Sequence, residues 1–136
     1  MIKVAVGIIL RNGEVLLCQR KSTARYALKW EFPGGKVEDA ESVEDCLERE
    51  LDEELGIDAE IGPLYHRQHY EYADSGTYDV FYHLIIVFTG EIQNRAFEKL
   101  LWVPLDQLPA YDILEGNRVV VSMLVNSHAR VDSATK

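Results

Sequence analysis

The order of patterns along this chain predicts an α+β fold in which a mixed β-sheet is sandwiched between helices, an α/β/α sandwich. Three observations carry that expectation. An Asn-Gly pair joins two apolar runs near the start, a helical periodicity occupies the middle, and two long stretches rich in Tyr, Val, Ile and Phe follow it. Strands interleaved with helices bury both faces of a sheet under helical layers. With 136 residues, 47% of them apolar, the chain can bury a core without disulfides or structural metals, so residues 1–136 are expected to form a single domain.

Val4 to Leu10 and Val15 to Gln19 read as a hairpin around Arg11-Asn12-Gly13. Trp30-Glu31-Phe32-Pro33-Gly34-Gly35-Lys36 reads as a loop, because Pro and the Gly pair interrupt regular pairing. From Glu41 or Ser42 to Leu55 the pattern is helical, with Ser42 as N-cap and Gly56 as the stop. Ala59 to Tyr72 and Tyr78 to Ile92 are expected to be two longer strands, joined by a turn at Ala73-Asp74-Ser75-Gly76. A short strand at Leu100 to Val103, a turn or single helical turn at Pro104 to Leu108, and a second helix at Arg118 to Asn126 complete the pattern. Residues 128–136 are polar and expected to fray.

The net charge of -9 disfavours a nucleic acid polymer as partner. That charge is concentrated: residues 38–54 hold ten acids and one base, Arg49, and the rest of the chain sums to zero. No apolar run spans a bilayer, and the start has no basic n-region or cleavage site, so a cytoplasmic protein with no membrane partner is expected. Cys18 and Cys46 have no metal or redox spacing and read as reduced core thiols. His66, His69, His83 and His128 have no zinc spacing.

Within the acidic segment, Glu50, Glu53 and Glu54 are spaced i, i+3 and i+4, so a helix projects them within an arc of about 100°. Val43, Cys46 and Leu47 share that side, which places the three glutamates on the buried face; Asp45, Glu48 and Asp52 form the solvated one. Carboxylates facing an interior pay a large desolvation cost unless paired, protonated or bound to metal, and Arg49 can partner only one or two of them. Hard oxygen ligands suit Mg2+, with Mn2+ as a substitute, and such sites complete their shell with substrate phosphate oxygens.

The segment Gly35-(five residues)-Glu41-(seven residues)-Arg49-Glu50-Leu51-Asp52-Glu53-Glu54-Leu55-Gly56-Ile57 fills every position of the Nudix box, and the chain resembles Nudix hydrolases over nearly its whole length. Trp30 to Glu38 is similar to the 8-oxo-dGTP diphosphatase (MutT-like) and CTP pyrophosphohydrolase-like branch. The resemblance implies the Nudix fold, a nucleoside diphosphate-type small-molecule substrate, and metals held by Gly35, Glu50, Glu53 and Glu54. It implies that Arg49 and Glu41 orient those ligands and that Lys36 and Lys21 contact phosphates. The water proton would go to Glu53 or to a loop carboxylate. Relatives place that carboxylate six residues before the late-strand Trp, whereas here Ala96 has that place and Glu98 stands four before Trp102.

Comparison with the same branch puts Asn117 at the nucleobase edge, with a helix N-cap as its other role. An Asn amide sets one donor beside one acceptor, which mismatches the two acceptors O6 and N7 of guanine but matches 8-oxoguanine, and cytosine as well. Phe32, Tyr72 and Tyr82 are expected to line or stack on the base. The leading expectation is a nucleoside triphosphate pyrophosphohydrolase, monomer or homodimer, that sanitises 8-oxo-dGTP or a relative. The alternatives are a CTP, dCTP or 5-methyl-dCTP pyrophosphohydrolase, an ADP-sugar or dinucleoside polyphosphate hydrolase, and a non-catalytic nucleotide-sensing domain.

Overall fold

A computed structural model describes residues 1–74 and 76–135, with side chains as far as residue 128. The hairpin forms as expected: β1 (Ile2–Arg11) turns into β2 (Glu14–Gln19) through Asn12 and Gly13, both at positive φ (53° and 77°). That pair of left-handed residues is the I′ signature that matches the strands' twist. Then come β3 (Trp30–Glu31), β4 (Gly34–Lys36), α1 (Val43–Leu55), β5 (Asp58–Ala59), β6 (Leu64–Tyr72), β7 (Gly76–Ile85), β8 (Phe88–Thr89) and β9 (Lys99–Pro104). Two 3-10 turns, Leu105–Ala110 and Glu115–Asn117, lead into α2 (Arg118–Thr135).

The main sheet runs β3-β2-β1-β7-β6, with β9 also on β2 and β4 also on β1. β1 is the hub. It pairs parallel with β7 from Ile2↔Tyr78 to Ile9↔Ile85, and antiparallel with β4 and β2, which makes the sheet mixed. Residues 5–9 are all buried, because β1 is covered on both faces. Ala5 and Ile9 pack with Cys46, Leu47, Leu51 and Leu55 of α1. Val6 and Ile8 pack with Leu108 and with Val120, Val121 and Leu124 of α2. Strand alternation thus divides the apolar residues between two cores, and the layers are helix, sheet, helix.

Three expectations change. The Trp30–Lys36 stretch is not a loop throughout: Trp30–Glu31 pairs with β2 and Gly34–Lys36 with β1. The glycines permit this, since a Cβ on Gly34 would stand 2.0 Å from the Ala5 carbonyl oxygen. The two long strands are each interrupted, giving β5 and β6, then β7 and β8. Pro63 has no N–H to donate, so pairing restarts at Leu64 with a register irregularity before His66. The second helix runs to Thr135 rather than Asn126, so the expected tail is helical in its backbone. Its side chains from residue 129, and Lys136, lie outside the described residues, as does Ser75 of the expected turn. Cys18 and Cys46 are free and buried, and His66, His69 and His83 lie on strands. Among the described residues no helix is long and apolar enough to cross a membrane.

Candidate active site

The helix that carries the glutamates is closed at both ends by its own sequence. Ser42 Oγ accepts from the Asp45 N–H at 3.0 Å, and Gly56 at φ 69° turns its N–H back to the Asp52 carbonyl. The last turn of α1 contains no basic residue. A cation arrives from elsewhere: Arg95 Nη1 donates to the Asp52 carbonyl at 3.3 Å, while the Arg95 and Gln93 N–H groups donate to the Glu54 and Leu55 carbonyls. Positive charge at this end complements the helix dipole.

Arg49 organises the acids. Its Nε and Nη2 form a fork on Glu41 at 2.8 and 3.0 Å, and its Nη1 donates to Glu50 at 3.0 Å and Glu53 at 3.3 Å. The guanidinium holds the Glu41 carboxyl well down, at about 2. Glu50 and Glu54 lie inward, but the Glu53 side chain is 58% exposed, against 17% for Glu50. The expectation that all three face the buried side is therefore corrected at Glu53. It stands 300° round from Glu50, at the edge of the stripe, where Arg49 at i-4 draws it outward.

Among the described residues no three acidic, His or Cys side chains already form a metal-binding group. The donor set nevertheless fits a divalent cation. A Cβ on Gly35 would stand 2.4 Å from the Glu50 carboxyl carbon, so only glycine lets the β4 backbone meet that carboxylate. Glu54 accepts from the Gly34 N–H at 3.1 Å, yet burial first, and then the charges of Glu50 and Glu31, push it up to about 8. Burial raises Glu50 as well. Inward carboxyls that resist ionisation in the absence of a cation, all hard oxygen donors, suit Mg2+-type ions.

A cavity of about 340 Å3 opens beside Glu54. Gly35, Lys36, Phe32, Tyr72, Tyr82 and Asn117, all expected from the sequence, line it with Glu54. The structure does not bring Lys21 or Glu98 into it. Glu98 Oε1 instead accepts from the Ser22 N–H at 3.4 Å, outside the cavity. Tyr82 is fully buried and hydrogen-bonded, so it forms the floor rather than a stacking face. The Asn117 oxygen accepts from Phe32 N–H at 3.1 Å, across the fold, so its side chain is not an N-cap of α2.

Arg20, Arg25, Tyr26, Glu31, Tyr70 and Tyr78 also line the cavity, and sequence reasoning missed them. Tyr72 packs against Tyr70, Tyr26 and Tyr78, with ring centroids 4.6, 5.1 and 5.8 Å away. The period-2 placement of Tyr70 and Tyr72 on one strand face was a usable signal. Glu31 stood within the quoted motif, but its partner Arg20, at 3.1 Å, lies in a polar stretch with no pattern. Burial keeps the Glu31 carboxyl above the usual range despite that partner.

Residues 1–124 match the family described as NUDIX domain. The chain is 36% identical to the 8-oxo-dGTP diphosphatase of Haemophilus influenzae over 127 residues, 93% of each chain. It is 37% identical to the CTP pyrophosphohydrolase of Escherichia coli over 120 residues, 83% of each. Among solved structures it is similar to the E. coli ORF135 protein, with a TM-score of 0.84 and 32% identity over 96% of this chain and 92% of that one.

Proposed function

The chain belongs to the Nudix hydrolase family, and from that premise we propose that it is a Mg2+-dependent nucleoside triphosphate pyrophosphohydrolase. Mn2+ is the expected substitute, 8-oxo-dGTP or a related (deoxy)nucleoside triphosphate the substrate, and nucleoside monophosphate and pyrophosphate the products. One observation carries the reading: a single cavity joins Glu54 of the acidic helix to Asn117 and an aromatic wall. Its volume lies in the range of sites that hold one small-molecule ligand.

In this reading Glu50, Glu53, Glu54 and the Gly35 carbonyl hold the cation. When bound, it supplies Lewis acidity at the phosphoryl oxygens and makes the attacking water more acidic. Arg49, clamped on Glu41, fixes the directions of Glu50 and Glu53. Lys36 on β4 lines the cavity and offsets phosphate charge. Glu53 is the better proton acceptor of the two carboxylates considered, because it is solvated and adjoins Glu50 through Arg49, whereas Glu98 is engaged by Ser22.

CTP or dCTP is the second reading, favoured by the likeness to a CTP pyrophosphohydrolase and by the same Asn117 edge, which also fits cytosine. A panel of 8-oxo-dGTP, dGTP, CTP, dCTP, 5-methyl-dCTP, ADP-ribose and diadenosine polyphosphate, scored for pyrophosphate against phosphate release, separates these substrates. Glu53→Gln should lower Mg2+-dependent turnover by about 100-fold or more. Unchanged turnover would remove Glu53 from the mechanism. Asn117→Ala should lower kcat/KM most for the preferred base.

A further inference from the structure

The Gly116-Asn117 turn is fastened to the sheet by side chains. Gly116 N–H donates to the Tyr72 hydroxyl at 2.9 Å, and the Gly116 carbonyl accepts from Tyr82 OH at 3.1 Å and from Gln68 Nε2 at 2.5 Å. Asn117 Nδ2 donates to the Tyr82 oxygen at 3.1 Å, and Asn117 Oδ1 accepts from Phe32 N–H.

The donor inventory leaves one solution. A backbone N–H can only donate, so the Asn117 atom facing Phe32 is the oxygen. A carbonyl can only accept, so the single Tyr82 proton goes to Gly116, and the Tyr82 oxygen can only accept from Asn117. The atom facing Tyr82 is therefore the nitrogen. The amide of Asn117, a residue 7% exposed, is committed in one sense, and among the described residues one N–H and one oxygen lone pair are unspent.

We propose that Tyr82 and Gln68 are specificity-determining positioning residues. They hold the Asn117 amide in the one sense that presents an N–H beside a lone pair to the cavity, and so select a nucleobase edge that sets an acceptor beside a donor. Tyr82 acts directly on the amide nitrogen. Gln68 acts one step back, by anchoring the carbonyl that receives the Tyr82 proton. This rests on the reading of Asn117 as the base contact.

The test compares kcat/KM for 8-oxo-dGTP, CTP and dGTP in the wild type, Asn117→Ala, Tyr82→Phe and Gln68→Leu, with the Mg2+ half-saturation and Tm of each. Tyr82→Phe should cut the ratio of preferred substrate to dGTP about tenfold, because the amide keeps only its Phe32 contact. Gln68→Leu, a half-buried change on β6 that leaves the core intact, should move the ratio the same way by less. Mg2+ half-saturation should not change in either. If both variants lower kcat/KM equally for every base, or leave the ratio intact while Asn117→Ala abolishes it, the inference is overturned and the base-contact reading stands. If Asn117→Ala leaves the ratio intact as well, both fall.

Discussion

Two adjacent glycines do different work, and alanine separates them. A Cβ on Gly34 meets backbone, the Ala5 carbonyl oxygen at 2.0 Å, which cannot yield without parting β4 from β1. Gly34→Ala should cost about 4 kcal/mol or more and leave little folded protein. The atoms nearest a Cβ on Gly35 all belong to the carboxyl end of the Glu50 side chain. Gly35→Ala should unfold within about 1 kcal/mol of the wild type in urea, yet bind Mg2+ at least about tenfold more weakly by calorimetry. Glu54 adds a pH signature. Its carboxyl is lifted from 4.5 to about 8, so the neutral form favours the fold: that stability is whole below about 4.5 and is lost as pH rises through about 8. A cation needs the ionised form, so the Tm gain from Mg2+ should widen between about pH 6 and about pH 8. A constant gain would remove Glu54 from the ligand set.

At the scale of elements, α1 was legible at both caps, though it starts at Val43 rather than at Glu41 or Ser42, because Ser42, the apolar stripe and Gly56 are local signals that tertiary packing did not override. The cation that sits over its far end was not legible. Arg95 lies 39 residues beyond Gly56 in a polar loop, and only the fold lays its guanidinium over that glycine, 3.0 Å from where a Cβ would stand. Arg95→Ala should cost about 1 kcal/mol in chemical denaturation, and Arg95→Lys should recover part of it, since charge at the helix end is kept while the guanidinium fork is lost. The Trp30–Lys36 stretch was misread for a related reason. Its pairing partners, Gln19 and Cys18 on one side and Val4 to Val6 on the other, are distant in sequence, while Pro33 and the glycines supply loop signals locally. The cavity behaved likewise. Asn117 was found through a resemblance, and Phe32 and Tyr72 through the affinity of flat apolar rings for a base, but Arg20 and Glu31 meet only after β2 and β3 pair.

Over the whole molecule, one strand separates two cores, and this makes them one cooperative unit. Ile8 and Ile9 are both fully buried on opposite faces of β1, so removing either loosens the same strand. Ile8→Ala and Ile9→Ala should each cost about 2–5 kcal/mol. The tryptophans report the layers separately: Trp30 belongs to the α2 core, and Trp102 packs against the α1 core. Single-Trp variants should give coincident urea transitions, and separated midpoints would mean the layers unfold independently. The layered plan was legible from strand and helix order; the parallel pairing of β1 with β7 was not, because it joins residues more than 70 positions apart with no local signature. The cavity inherits a division of labour from that plan. On the proposed reading its carboxylate contact from α1, Glu54, comes from a helix on one side of the sheet, and its amide contact, Asn117, from a turn on the other, more than 60 residues later. On that reading, mutational drift in the turn and its tyrosine supports redirects the choice of nucleotide while the acidic helix is inherited intact, which makes this scaffold a ready source of new specificities at constant chemistry.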